Sequence, residues 1–265
     1  MKYEPLTLKT CLQLLLLTIV KANHPMTAAE CYEALNEQFP PPPQPGKPNR
    51  KYSKPKIIEQ LRELCQSDEM VEVPGVNVHY YITNKGLAEL NNRRIEMYNA
   101  ITSIHLSLQN VVAMIQDKNP PNPGVTVLEH QRSFLRSLLS LKDVVRTFIL
   151  KELMKKPKQS MKDLHSSMIQ KLGWSCSLSA FIIIGRNEMT EGVGSDNLVL
   201  ETPVIFLKSE YQGKVNRRKM RVFSIDNQEL VYEWLPIYSR DALSSTKKSL
   251  EFTTMLIKLL RQEGV

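Results

Sequence analysis

The chain is expected to fold as an α+β protein, and three patterns in its 265 residues point there. Apolar residues recur at helical spacing through roughly the first two thirds. Beyond Gly173 the pattern turns strand-like in SAFIIIG, NLVLETPVIFL, MRVFSI and ELVYEW. Between Tyr52 and Leu90, a short helix, a strand, a Pro-Gly turn, a second strand and a new helix start follow in close succession.

The first helix is predicted over Thr7 to Lys21, with Leu12, Leu15, Leu16, Ile19 and Val20 facing inward. Its apolar run is too short to span a bilayer, and no small-residue cleavage site follows it, so it reads as a buried helix. Asn23, His24 and Pro25 end it. Thr27, with Glu30 three residues on, forms a capping box for a second helix that buries Cys31 and Leu35. Residues 40–52 hold six prolines and one glycine, which excludes helix and central strand. Ser53 suits the cap of a third helix and Pro55 its first turn. In that helix Ile57, Ile58, Leu61, Leu64 and Cys65 face the core, while Lys54, Lys56, Gln60, Arg62 and Glu63 face outward. Met70, Val71 and Val73 make one strand. Pro74 and Gly75 turn it, and Val76, Val78, Tyr80 and Ile82 alternate back. Thr83 caps the next helix, opened by Lys85, Gly86 and Leu87.

From Arg93 a long helix carries Met97, Ile101, Ile104, Leu108, Val111 and Ile115 at heptad spacing. NPPNPG, Asn119 to Gly124, stops it. From about Val127 a second helix repeats the spacing with Phe134, Leu138, Leu141, Val145 and Phe148. Residues 93–155 are therefore expected to form an antiparallel helical hairpin whose helices pair with each other or with a second copy of the chain, the first seam being the expected dimer contact. Residues 156–265 follow as a mixed α+β domain with a final helix over Ser244 to Arg261. In that region the alternative is a second copy of the Tyr52–Leu90 pattern with SAFIIIGRNEM as its third helix, although the β-branched run favours a strand.

The formal net charge is +8, which permits a polyanionic partner without requiring one. From Gln38 to Ile58 there is no acidic residue, while Lys47, Arg50, Lys51, Lys54 and Lys56 supply five positive charges on the way into the third helix. Two more basic clusters are Lys151 to Lys162 and Lys214 to Arg221. Lysine and arginine at such positions neutralise phosphates and release counterions. Side chains that read bases belong near the start of the helix, where Tyr52, Ser53, Lys54 and Lys56 stand. The turn Pro74-Gly75-Val76-Asn77 is uncharged, leaving His79 as the candidate contact there.

Signals for enzyme chemistry are sparse. The histidines His24, His79, His105, His130 and His165 are scattered without ligand spacing. There is no nucleophile elbow or Walker motif, and the loop Gly192 to Asn197 lacks the strand-loop-helix context of a phosphate cradle. Cys11, Cys31, Cys65 and Cys176 form no CxxC pair and read as buried reduced thiols. These observations predict an intracellular protein, in cytoplasm, nucleoid or nucleus, with no metal, cofactor, catalytic residue or membrane association.

Taken together, the helix-helix order, KPKIIEQLRELCQSDEMVEV, and the ending Tyr81, Ile82, Thr83, Gly86 resemble the winged helix-turn-helix of PadR- and MarR-type transcription regulators over residues 7–94. The resemblance implies a winged-helix domain over 1–92, with its third helix in a major groove through Ser53, Lys54 and Lys56. It also implies that the long helix after the wing dimerises. The chain departs from that pattern in having Ser67-Asp68-Glu69 where a glycine usually ends the third helix, and in its uncharged wing. Double-stranded DNA and a second copy are the expected partners, with a ligand or protein at residues 156–265. The competing class is a protein-interaction or scaffold subunit of a larger complex.

Overall fold

The computed structural model describes residues 6–43, 51–189, 207–215 and 218–261. Helices are combined with small antiparallel sheets, as in an α+β fold. The chain divides into two compact units. One holds residues 1–105, 128–138 and 249–265, and the other holds 106–127 and 139–248.

The first unit is built on α1 (Leu8–Asn23). Leu14, Leu15, Leu16 and Leu17 are all buried, so the helix has no solvent face at its middle and lies inside its unit. Thr7 and Thr10 cap it reciprocally. A two-residue strand, β1 (Met26–Thr27), leads into α2 (Ala28–Gln38), whose capping box forms as its sequence requires. The Thr27 hydroxyl accepts from the Glu30 backbone N–H at 3.2 Å, and the Glu30 carboxylate accepts from the Thr27 N–H at 2.7 Å. The Thr27 N–H, together with the Thr27 hydroxyl that donates to the same carboxylate at 2.9 Å, holds the exposed Glu30 carboxyl below its ordinary range. α3 (Lys54–Gln66) packs Ile57, Leu61 and Leu64 against α1 and α2. Then β2 (Met70–Val73) and β3 (His79–Ile82) form a hairpin with Val73 opposite His79 and Met70 opposite Ile82. β1 joins the other edge of β3, giving the order β1-β3-β2.

The junction from α3 to α4 (Asn84–Ile115) explains the Thr-x-x-Gly signature. α3 ends on Asp68 in the left-handed region, φ 60°, with the Glu69 N–H returning to the Leu64 carbonyl at 2.9 Å. The Glu69 carbonyl then accepts from the Thr83 N–H and hydroxyl, both at 3.1 Å. The Thr83 hydroxyl accepts from the Gly86 N–H at 3.0 Å, capping α4. Gly86 lies so close that a Cβ there would fall 2.0 Å from the Glu69 carbonyl oxygen. The buried Glu69 carboxylate pairs with Arg93 on α4 at 2.8 Å.

The second unit repeats this element order. α6 (Leu141–Lys155) is followed by α7 (Met161–Leu172), then α8 (Leu178–Ile182) continued by π-helical turns over Ile183–Glu188. Next come the strands β4 (Leu207–Val215) and β5 (Arg218–Ile225), and then the long α9 (Gln228–Arg261), of which residues 228–248 belong to this unit. Just before α7, Gln159 pairs with Phe223 of β5, in the place that β1 takes beside β3. The core of this unit includes Phe148, Leu164, Leu172, Trp174, Phe181 and Phe223. Gly173 closes α7 at φ 83°, and its carbonyl accepts from the Val127 N–H at 2.9 Å.

Several predicted elements are corrected. SAFIIIG is helical, with Phe181, Ile184 and Gly185 buried and Gly185 pressed close to Met161. ELVYEW opens α9, which begins 16 residues before the predicted Ser244. Asn227 supplies its start, its side chain accepting from the Leu230 N–H at 3.1 Å. NLVLETPVIFL lies almost wholly outside the described residues, as does the turn at Gly192 to Asn197. The second arm of the predicted hairpin is not one helix. It is a 3-10 turn (Glu129–Gln131), then α5 (Arg132–Leu138), then α6. The break falls at Ser140, whose N–H donates to the Ser245 hydroxyl at 3.2 Å and whose own hydroxyl donates to Asp143. No described helix is long and apolar enough to cross a membrane.

Gly86→Ala is expected to lower unfolding free energy by about 3 kcal/mol, because backbone rather than a flexible side chain occupies the space. Chemical denaturation of the full chain measures this, and an unchanged midpoint would refute the close-approach account.

Candidate nucleic-acid interface

α1 and α2 hold α3 by one face, so its other face is presented outward. Gln13 of α1 donates to Gln60 at 3.0 Å and to Glu63 at 3.2 Å, and Lys9 pairs with Glu63 at 3.0 Å. These contacts fix the rotation of α3 about its axis and hold the Glu63 carboxyl below its ordinary range, chiefly through the Lys9 hydrogen bond. The exposed residues are then Lys54, Pro55, Lys56, Glu59, Arg62 and Gln66, a face with three positive charges and one negative.

The predicted contact residues divide by environment. Lys51, Ser53, Lys54 and Lys56 are exposed together at the start of α3. Lys56 forms an exposed pair with Glu59, at 2.9 Å and 3.0 Å to its two oxygens. Lys51 and Lys54 have no ion-pair partner among the described residues. The Ser53 hydroxyl makes no capping bond, contrary to its predicted role. Only its carbonyl serves the helix, accepting from the Ile57 N–H at 3.1 Å. Tyr52 turns back toward α2. Its N–H donates to Asn36 at 2.8 Å and its hydroxyl to the Pro40 carbonyl at 3.2 Å, and burial raises the phenol above its ordinary range. It therefore anchors the chain entering α3. Lys47 and Arg50 lie outside the described residues.

The hairpin beside α3 exposes four valines, with Glu72 and Asn77 exposed among them. Val71, Val73 and Val78 are 47%, 44% and 42% exposed, and Val76 at the tip is fully so. His79 is half-buried between β1 and β2, its Nδ1 3.0 Å from the Asn77 carbonyl oxygen. Between the C-terminal half of α3 and the hairpin runs an open groove lined by Arg62, Cys65, Gln66, Asp68, Met70, Val71, Glu72 and Thr83. Burial pushes the Cys65 thiol in this groove up to about 11. All four cysteines are free, and burial raises Cys31 to about 12 and Cys11 further.

The six residues of the predicted dimer seam, Met97, Ile101, Ile104, Leu108, Val111 and Ile115, are all buried within the single chain. In the single chain these heptad positions are filled by packing within the molecule. His105, between seam positions, bonds through Nδ1 to the Thr253 hydroxyl at 2.9 Å, and burial lowers its pKa. Among the described residues no group of His, Cys, Asp and Glu is arranged to hold a metal ion. No protein-family model matches the chain, and no curated protein matches it.

Asp68 holds the left-handed position where a glycine would be free of steric cost. Asp68→Gly is expected to raise unfolding free energy by about 0.5–1 kcal/mol, because the ion pair it gives up with Lys85 is long (3.7 Å) and exposed. Thermal and denaturant unfolding measure the gain.

Proposed function

We propose that the first unit is a winged helix of the kind found in PadR- and MarR-type regulators, and that the protein binds duplex DNA as a transcription regulator. α3 would be the recognition helix and the β2–β3 hairpin its wing. The carrying observation is the start of α3, where Lys51, Ser53, Lys54 and Lys56 are exposed together and two of the lysines lack an anionic partner among the described residues. Such a helix end suits a major groove, with serine and lysine reaching phosphates and base edges. The acid-free approach from Gln38 to Ile58 adds to the attraction for a polyanion.

A second reading rests on the hairpin. Four outward valines and no charge at the tip suit a protein partner better than phosphate. In that reading the protein is a scaffold subunit that uses the winged-helix shape for assembly.

Fluorescence anisotropy with a pool of duplexes separates the two. Under the DNA reading, Lys54→Glu with Lys56→Glu weakens binding about 100-fold or more and flattens the dependence on salt. Both side chains are exposed, so circular dichroism is expected to be unchanged. Equal affinity of wild type and variant would remove α3 as the contact. Absence of duplex binding by the wild type would favour the scaffold reading.

A further inference from the structure

Consecutive residues of β2, Met70, Val71 and Glu72, line one wall of the open groove beside α3, and Arg62, Cys65 and Gln66 line the other. Neighbouring residues of a strand point to opposite faces. A groove that touches all three therefore runs along the edge of β2, and that edge is an unpaired one. Arg62, Cys65 and Gln66 share one stripe of α3, because residues three and four apart are neighbours on a helix. Asp68 and Thr83 line the groove where α3 turns into β2, and they close that end. Its volume of about 680 Å³ is room for a short extended chain.

The backbone along this edge is open. The Glu69 carbonyl accepts from the Thr83 N–H at 3.1 Å, and the register that sets Met70 opposite Ile82 sets Glu69 opposite Thr83. Glu69 and Thr83 are thus a hydrogen-bonded pair. Bonded pairs alternate along an antiparallel ladder, so the next are Val71 with Tyr81 and Val73 with His79. The N–H and carbonyl of Met70 and of Glu72 then point away from β3, and neither residue has another backbone partner among the described residues. Pro74, the next outward position, has no N–H and ends the edge.

Side chains define what fits. Val71 and Val73 are exposed on one face of β2. Glu72 is exposed on the other, and Arg62 is exposed across the groove. Neither Glu72 nor Arg62 has an ion-pair partner among the described residues. In a neighbouring strand, β-branched residues favour positions beside valine, and an opposite charge favours the position beside a carboxylate.

We infer that the α3–β2 groove binds an extended peptide segment of another protein, which joins the sheet as a fourth strand through the backbone of Met70 and Glu72. The segment alternates. Its β-branched residues lie beside Val71 and Val73, and its other face carries a basic residue for Glu72 and an acidic one for Arg62. Main-chain bonds supply affinity in such strand addition, and alternate side chains supply selectivity. The inference goes beyond duplex binding, since it uses none of the lysines at the start of α3. It also places a protein partner at the strand edge rather than at the hairpin tip.

The test begins with selection of peptides by the full chain from a displayed library of random heptapeptides. Fluorescence anisotropy then measures the selected peptides. Enrichment of alternating sequences, with a basic residue between β-branched ones, is expected. Glu72→Pro removes an outward N–H without breaking a bond to β3, and is expected to weaken these peptides about tenfold or more. Glu72→Lys keeps the N–H and reverses the charge. It is expected to weaken them similarly and to recover when the peptide's basic residue is exchanged for glutamate, which separates recognition from damage to the fold. Lys54→Glu with Lys56→Glu, and Val76→Ser with Val78→Ser, should leave peptide affinity unchanged, so the groove fails or stands apart from both functional readings. Selection of no alternating sequence would overturn the inference, as would peptides that bind both Glu72 variants as tightly as the wild type. If no peptide is selected and Glu72→Lys binds duplex more tightly, the groove lies against DNA instead.

Discussion

The Glu69 carbonyl is the point on which the first unit turns. The end of α3, the start of α4 and the base of the hairpin all close on it, through the Thr83 N–H and hydroxyl and the close approach of Gly86. The same residue's carboxylate is buried against Arg93, with Ser67 as a further donor at 2.9 Å. Breaking a buried pair on one side leaves an uncompensated charge, so this junction tolerates little change. The direction of α3 follows from it. If α4 could not approach the α3–β2 turn, the hairpin would not lie beside α3, and the basic helix start would lose its fixed relation to the sheet.

Both units use the same device at the ends of long helices. α3 ends on Asp68, and α4 ends on Asp117 at φ 55°, with the Lys118 N–H returning to the Ala113 carbonyl at 2.8 Å. At the second end Lys151, itself buried, donates to the Ile115 carbonyl at 2.9 Å and pairs with Asp117, which holds that carboxyl below its ordinary range. Aspartate thus takes at both ends the left-handed position usually left to glycine, and at the second end Lys151 also satisfies the Ile115 carbonyl.

Local signals were legible in the sequence because their partners are close in the chain. Thr27 and Glu30, Pro55 in the first turn of α3, and Thr83 with Gly86 act within a few residues of one another. The outward lysines of α3 followed from helical periodicity alone. What sequence reading missed depends on distant neighbours. Tyr52 resembles a contact residue until Asn36, 16 positions earlier, claims its backbone. The heptad seam has the spacing of a dimer interface, and only the fold shows that the chain fills it by itself. Ile182, Ile183 and Ile184 argue for a strand, but that preference is worth a few tenths of a kcal/mol per residue. Burial of Phe181 and Ile184 outweighs it, and the π-helical turns absorb the crowding. The beginning of α9 was hidden because Leu230 to Trp234 is rich in β-branched and aromatic residues, and because Pro236 lies inside the helix.

The strand β2 is the unpaired edge of its three-stranded sheet, and it carries Val71 and Val73 on its exposed side. An edge of that composition is a template on which a neighbouring molecule's backbone can add another strand. The chain limits this by brevity, with four residues in the strand, and by Pro74 immediately after it, which has no N–H to offer a ladder. Glu72, exposed between the valines, adds a charge that an incoming strand would have to accommodate. Colloidal behaviour at high concentration therefore hangs on one proline and one carboxylate.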